Sequence, residues 1–227
     1  MKETNTEQLA ERVEIEAVIA SAIGGRRLLS HPFYQRWLEG SLQMSELAAY
    51  AAQYRYFEAQ LPGFLAEVLE QLPPGQAREL VAANLADERS VPAPHLELFE
   101  TFGAAVGAVP EPPTPATQAL VYCYARWAQS GGAAAVGALA AYEVQAAEVA
   151  ASKADGLRVR YGLEATATEF WDVHATADVD HAAWVVEALA ELAAAGDASD
   201  IAAAVDDAAG AWWSWLDERE AARPIAA

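Results

Sequence analysis

Two histidines and an aspartate recur in the C-terminal third of the chain at the spacing of one helix face. In the segment FWDVHATADVDHAAWVVEAL, Asp178 follows His174 by four residues and His181 follows Asp178 by three. Steps of three and four residues bring side chains onto one face of an α-helix. Apolar residues continue that face, and no basic residue is nearby. Two imidazoles and a carboxylate on a face that should be buried indicate metal ligands.

Two glutamates and a further histidine interrupt apolar faces elsewhere in the chain. Glu88 continues the stripe of Val81 and Leu85 in RELVAANLADE, and Glu143 falls within an apolar face of AVGALAAYEVQAAEVA. His95 follows Glu88 by seven residues, across a break at two prolines. Taken alone, a glutamate at such a position is more often an ordinary boundary residue. An unpaired carboxylate in an apolar core costs on the order of several kcal/mol, so a buried glutamate needs a partner.

Together these residues supply three imidazoles and three carboxylates on four helical segments. Nitrogen and oxygen ligands of this kind suit two first-row metal ions such as iron or manganese, with carboxylates able to bridge them. A closed structural zinc site uses fewer ligands and usually includes thiolate. The single cysteine, Cys123, permits neither a thiolate cluster nor an internal disulfide. The predicted metal ligands are therefore Glu88, His95, Glu143, His174, Asp178 and His181.

Helices must position these ligands, because helix formers dominate and the Val, Ile and Thr clusters of strands are missing. Glycines and prolines divide the chain into segments. We predict a helix start at His31, a bend at Pro62, a connector at 110–115, and turns at Gly156 and Gly162. The fold is predicted to be all-α, a single compact bundle of seven or eight helices that forms one domain over residues 1–227.

The charge balance and the apolar pattern exclude several classes of protein. The 227 residues carry 33 acidic and 14 basic side chains, a formal net charge of −19, so a protein that binds the phosphate backbone of nucleic acid is not expected. No stretch reaches the roughly 18 apolar residues of a membrane span. One cysteine fits a reducing compartment. We therefore expect a soluble, cytoplasmic protein with neither nucleic acid nor membrane as a partner.

The ligand pattern E-x6-H, E, H-x3-D-x2-H resembles that of the heme-oxygenase-like dimetal oxidases. These are helical relatives of the TenA and PqqC proteins that bind two metals instead of heme. Every ligand position of the pattern is filled. Three segments, HPFYQRWLEGSLQMSELAAYAAQY, ARWAQSGGAAAVGALAAYEVQ and HATADVDHA, are most similar to the branch that contains the chlamydial protein associating with death domains. The resemblance implies a heme-oxygenase-like bundle and covers about residues 25–190.

That branch implies synthesis of para-aminobenzoate for folate, in a reaction that consumes one of the protein's own tyrosines and takes the amine from one of its lysines. By position the tyrosine is Tyr34 in HPFYQRW and the lysine is Lys153 in AASKADGL. Tyr142 matches an aromatic position near the metals. A further tyrosine expected four residues before His174 is Phe170 here. The implied cofactors are two metal ions, iron with iron or manganese, together with O2 as co-substrate and an external reductant.

The residues themselves leave other interpretations open. Lys153 is one of only two lysines, and a solvated lysine near a helix end is an equally good account of it. Tyr34 stands between Phe33 and Trp37, as an ordinary core tyrosine would. The same metal site could instead oxidise an external amino acid or fatty acid. A metal-binding interaction protein is a third hypothesis, in which the apolar segment AWWSWLDE would recruit partners. Core packing or a homodimer interface also explains that segment, and we expect a homodimer.

Overall fold

Helices make up most of the computed structural model, which describes residues 2–90, 93–193 and 198–224, with only the backbone described at 2–8 and 90. No strand occurs in these ranges. A short 3-10 helix covers Leu28–Ser30, and the α-helices are α1 (Lys2–Ile23), α2 (Pro32–Glu39), α3 (Met44–Gln71), α4 (Gln76–Ser90), α5 (His95–Ala105), α6 (Pro115–Ser130), α7 (Gly132–Tyr161), α8 (Ala165–Leu192) and α9 (Ala198–Ala221). The predicted all-α bundle of seven or eight helices is confirmed, with the eight-residue α2 in addition to eight longer helices.

The ends of several helices follow the capping residues of the sequence. His31 Nδ1 accepts a hydrogen bond from the Phe33 backbone N–H at 3.1 Å and so begins α2, as predicted. Thr114 caps α6 in the same way. Gly162 ends α7 with a φ of 67°, a left-handed conformation that favours glycine. The predicted break before α5 includes Pro92, which lies outside the described residues, while Pro94 is the N-cap of that helix.

Gly156 does not mark a turn, and the prediction of one there is wrong. The helix α7 continues through this position to Tyr161. A Cβ atom at Gly156 would lie 3.0 Å from Cδ1 of Trp37, so the glycine is needed where α2 packs closely on α7. Pro62 lies inside α3, which continues past it for nine residues to Gln71.

The core forms around α7, which packs between α8 and α9 and also contacts α2, α3 and α6. On the other side of α8 lie α4 and α5, and α3 covers both of them. Trp212, Trp215 and Leu216 of the segment AWWSWLDE are fully buried, so these side chains of α9 pack in the core, while Trp213 is half-buried. None of the helices in the described ranges combines the length and the apolar character that a membrane crossing needs.

Candidate metal centre

Four helices bring the six predicted ligands together in the interior of the bundle. All six side chains are buried. They form two groups, within each of which one ligand atom from every residue lies within 4.8 Å of the others. The first group contains Glu58, Glu88, His95 and His174, and the second contains Glu143, Asp178 and His181. The structure therefore places every predicted ligand in one of two neighbouring clusters and adds Glu58 to the first.

The first group is oriented by the histidines of α5 and α8. His95 Nδ1 lies 2.9 Å from Glu88 Oε2, and the centroids of the His95 and His174 rings are 4.5 Å apart. His174 Nδ1 lies 2.8 Å from the carbonyl oxygen of Phe170. Because a carbonyl oxygen only accepts, Nδ1 is the ring nitrogen that donates in this contact. The lone pair of His174 Nε2 is then left available to a metal ion.

The second group is oriented from α4. His181 Nδ1 lies 3.2 Å from Asp178 Oδ1 and 3.8 Å from Glu143 Oε2. The other nitrogen of this ring, Nε2, donates to Asp87 Oδ2 at 3.3 Å. Asn84 Nδ2 donates to Glu143 Oε1 at 3.1 Å. A carboxylate behind an imidazole fixes which ring nitrogen is presented to a metal, and here that nitrogen is Nδ1.

Burial and mutual charge shift the protonation of these groups. Burial raises the pKa of Glu143 to about 7, with Asp178 adding to the shift and His181 opposing it. Burial lowers the pKa of His181, but the hydrogen bond to Asp178 and the charge of Glu143 outweigh it and raise the pKa to about 10. Burial acts to raise the pKa of Glu88, yet the hydrogen bond with His95 holds it below its usual value. Without a metal ion, these side chains therefore bind protons at the positions that metal cations would occupy.

Two buried carboxylate oxygens support a metal at these clusters. Oδ2 of Asp178 and Oε1 of Glu58 are inaccessible to solvent and have no hydrogen-bond partner. Leaving a buried carboxylate oxygen unpaired is costly. A metal ion would satisfy such atoms, and imidazole with carboxylate is a donor set that iron and manganese accept. The buried His/Glu clusters are compatible with a site for two metal ions.

Glu58 is the residue that the sequence reasoning missed. It lies on α3, is 2% exposed, and follows Tyr54 by one helical turn. Burial raises its pKa well above the usual value, and the negative charges of Glu88 and Asp178 add to that effect. The sequence contained the pattern that identifies such a residue, a carboxylate on an apolar helix face. Glu58 interrupts the apolar stripe of Tyr54, Leu61 and Leu65, just as Glu88 interrupts an apolar stripe on α4.

Lys153 is buried against the aromatic side chains of α2 and α3. Its side chain is 1% exposed, so the solvated-lysine interpretation is wrong. Lys153 Nζ donates to the Tyr50 hydroxyl at 2.6 Å and lies 4.6 Å from the centroid of the Tyr34 ring. The hydroxyls of Tyr34 and Tyr50 are 3.0 Å apart. Burial lowers the pKa of Lys153 well below its usual value, although the charge of Glu58 opposes this.

Tyr142 and Phe170 each contact Tyr54, and each is next to a candidate ligand. The Tyr142 hydroxyl is 2.6 Å from that of Tyr54, and its backbone adjoins Glu143. The ring of Phe170 lies 4.1 Å from that of His174, measured between centroids. Burial raises the pKa of Tyr142 well above its usual value, so its phenol stays protonated near pH 7. Tyr142 thus adjoins Glu143 of the second cluster along the chain, while Tyr34 and Lys153 pack together against Tyr50.

Comparison with known families agrees with this arrangement. Residues 48–215 match the model of a family described as iron-containing redox enzymes. The chain belongs to this family. The match spans α3 to α9 and includes all six predicted ligands as well as Glu58, Lys153 and Tyr142. The family supports an oxidoreductase.

Relatives of the same size carry a more specific name. The 4-aminobenzoate synthase of Chlamydia trachomatis serovar D is 31% identical over 202 residues, which are 86% of this chain and 87% of the relative. The 4-aminobenzoate synthase of Nitrosomonas europaea is 34% identical over 218 residues, which are 88% of each chain.

Solved structures of other proteins share the fold. A TenA homologue from Pseudomonas syringae pv. tomato superposes with a TM-score of 0.76 at 15% identity, covering 92% of this chain and 91% of the homologue. A CADD-like protein from Nostoc punctiforme superposes with a TM-score of 0.71 at 17% identity, covering 93% of this chain and 100% of that protein. At such identities the likeness shows the fold alone, and it confirms the predicted heme-oxygenase-like bundle.

Proposed function

We propose that this iron-containing redox enzyme is a dimetal oxygenase that makes 4-aminobenzoate from the ring of its own Tyr34, with Lys153 as the amine donor. The observation that carries the proposal is the burial of the two residues against each other, with Nζ 4.6 Å from the centroid of the tyrosine ring. The names of the relatives from Chlamydia and Nitrosomonas support the product. 4-Aminobenzoate, or para-aminobenzoate, would serve folate synthesis.

The two clusters would hold the metal ions, which we propose to be iron with iron or manganese. Glu88, His95 and His174 would bind one ion, and the second group defined above would bind the other. When bound, the ions supply activation of O2, with electrons from an external reductant. The backbone contact of His174 and the Asp87 contact of His181 hold the two imidazoles in fixed tautomers, so that each presents one lone pair to its cluster.

The protonation of the two proposed substrate residues suits a transfer of nitrogen. Burial lowers the pKa of Lys153 well below its usual value, which favours the neutral amine with its free electron pair. Burial raises the pKa of Tyr34, so its phenol keeps its proton until it reacts. Tyr50 lies between them, accepting from Lys153 and sharing a hydrogen bond with the Tyr34 hydroxyl.

Burial also favours an internal substrate over an external one. Tyr34 and Lys153 are each 1% exposed, and the six predicted ligands are buried. An external amino acid or fatty acid could reach them only after the surrounding helices had moved. The same burial keeps water from the neutral amine and from the phenol, which limits side reactions.

A labelling experiment tests the proposal. Protein expressed with ring-labelled tyrosine is loaded with Fe2+ and Mn2+, given reductant and O2, and analysed by mass spectrometry for 4-aminobenzoate and for intact mass. We expect labelled product without added substrate, at no more than one molecule per chain, together with a matching mass loss on the protein. Tyr34→Phe and Lys153→Arg should keep the metals and lose the product, because the first lacks the phenol and the second lacks the amine.

The matched control is Tyr122→Phe, since Tyr122 lies in an exposed position on α6 and its loss should leave the yield unchanged. Product at the parental level from either substrate variant would contradict the self-consuming reaction, as would label that stays wholly in the protein. Oxygen uptake that depends on an added amino acid or fatty acid would favour the external-substrate oxidase. Metal binding without any oxygen uptake would favour the metal-binding interaction protein.

A further inference from the structure

We propose that Glu58 is a seventh ligand of the metal centre and binds the ion held by Glu88, His95 and His174. The inference rests on the two-metal part of the proposed function and is independent of the product. Glu58 comes from α3, a helix that supplies none of the six ligands predicted from the sequence. It therefore adds a fifth helix to the metal centre.

The geometry places Glu58 within the first cluster. One of its carboxylate oxygens lies within 4.8 Å of the ligand atoms of all three other members. The side chain is 2% exposed, and Oε1 has no hydrogen-bond partner. A structural role for a buried glutamate requires partners for its oxygens, as Glu46 at the start of the same helix shows. Glu46 accepts two hydrogen bonds from Arg36, at 2.7 and 2.8 Å.

The charge of the cluster provides a second, independent argument. Two divalent ions bound by neutral imidazoles and by Glu88, Glu143 and Asp178 would leave one net positive charge in the core. A net charge buried in a low dielectric is expensive. The Glu58 carboxylate brings the total to neutrality. The nearby basic side chain, Lys153, cannot serve this purpose, because an amine carries either no charge or a positive one.

The position of Glu58 also connects the metal centre to the proposed substrate residues. Tyr50 and Tyr54 precede Glu58 on α3 by two turns and one turn, on the same face. Tyr50 accepts a hydrogen bond from Lys153, and the hydroxyl of Tyr54 lies against that of Tyr142. One buried face of α3 thus connects the amine donor, which contacts Tyr50, with the first metal cluster, which contains Glu58.

Titration of the metal-free protein with Mn2+ alone tests the proposal, with free Mn2+ followed by its EPR signal. The parent should bind two ions per chain. Glu58→Gln keeps the shape of the side chain and removes its charge, and we expect one of the two ions to bind at least about tenfold more weakly, since even an outer-shell change costs about 10–100-fold. The matched control is Glu46→Gln, which removes another buried glutamate from α3 and should keep both affinities while lowering the melting temperature.

Three results would overturn the proposal. Parental affinity for both ions in Glu58→Gln would show that Glu58 is not a ligand while leaving the two-metal function intact. Equal weakening in Glu46→Gln would show an indirect effect of α3. Failure of the parent to bind Mn2+ would remove the two-metal function itself. Should Glu58→Gln fail to fold, a crystal structure of the Mn2+-loaded parent decides the question, because a Glu58 oxygen must lie in the coordination sphere of the anomalous Mn peak.

Discussion

His181 Nε2 lies 3.3 Å from Asp87 Oδ2, while the other ring nitrogen faces Asp178 at 3.2 Å. The ring is therefore held between a partly exposed carboxylate of α4 and the second metal cluster. Asp87 is 36% exposed at its side chain and is not itself a member of the cluster. An imidazole whose outer N–H is bound by a carboxylate is a better metal ligand, because its tautomer is fixed and its basicity is raised.

Loss of this outer contact should weaken metal binding without unfolding the protein. We expect Asp87→Ala to lower the affinity of one ion by about 10–100-fold, and Asp87→Asn to lower it less, because the amide oxygen still accepts from Nε2–H. Mn2+ titration measures both. Asp180→Ala removes an exposed aspartate from the position before His181 and serves as the control. Equal affinities in Asp87→Ala and the parent would show that the contact does not position the ring.

Metal binding should be linked to the release of protons. The pKa of His181 is raised to about 10 and that of Glu143 to about 7, so the metal-free protein at pH 7 holds a proton on His181 and part of one on Glu143. A metal ion must displace them. Apparent affinity should therefore rise with pH between pH 6 and 8, by about tenfold per unit for each proton released. Calorimetry in buffers of different ionisation enthalpy counts these protons, and a count of zero would contradict the shifts.

Lys153 should lower the stability of the fold, because its amine is buried and its pKa is lowered well below the usual value. We expect Lys153→Met to raise the free energy of unfolding of the metal-free protein by about 1–3 kcal/mol at pH 7. The unfolded chain keeps the lysine proton to a higher pH than the folded chain does, so the stability of the parent rises with pH up to the ordinary lysine pKa. The gain from methionine should consequently shrink at pH 9.

Urea unfolding at pH 7 and pH 9 provides that measurement. Arg160→Met is the matched control, since Arg160 is an exposed basic residue on the same helix and its substitution should change stability by no more than about 0.5 kcal/mol. A large loss of stability in Lys153→Met would show that the contact with Tyr50 outweighs the cost of burying the amine. Lysine would then be retained for packing, and its place beside Tyr34 would need no chemical explanation.

Phe170 occupies the position where the resemblance leads us to expect a tyrosine, with its ring 4.1 Å from that of His174. Phe170→Tyr would place a phenol beside the first cluster, and phenols can pass on an electron and a proton where a phenyl ring cannot. We expect a higher yield of 4-aminobenzoate per chain at unchanged metal content, measured by mass spectrometry. Phe102→Tyr adds a phenol elsewhere in the aromatic core and should not raise the yield. An unchanged yield in Phe170→Tyr would mean that this position only packs.

Much of the site was predictable, because a carboxylate or imidazole on an apolar helix face is conspicuous in the sequence. Glu88, Glu143 and Asp178 interrupt such faces and were found in this way. Glu58 meets the same criterion but stands in a run of aromatic residues, which hides its stripe. Asp87 could not be found, because it lies on a partly exposed face and its importance depends on how α4 meets α8. The periodicity of apolar residues within a helix indicates which side chains are buried. It does not indicate which side chains of different helices contact each other, because that depends on how the helices pack.

The surroundings of Lys153 show the same distinction. The sequence places it near a helix end among arginines, which favours exposure. Its burial depends on the close approach of α2 to α7, where Gly156 admits Trp37 to 3.0 Å of the position of an added Cβ. Gly156 follows Lys153 by three residues and lies on the same face of α7. The glycine can be read from the sequence, but its role in helix packing becomes clear only from the position of α2.

The Tyr34 side chain packs against the rings of Phe33, Trp37 and Tyr50 and against the Lys153 amine. A chain that surrendered this ring would keep a void at the centre of its own core, and removing a large core side chain costs about 3–5 kcal/mol. That is a large share of the stability of an ordinary domain. Each chain would therefore lose much of its stability when it reacts. Reacted chains would then unfold more readily than unreacted ones and would be degraded preferentially in the cell.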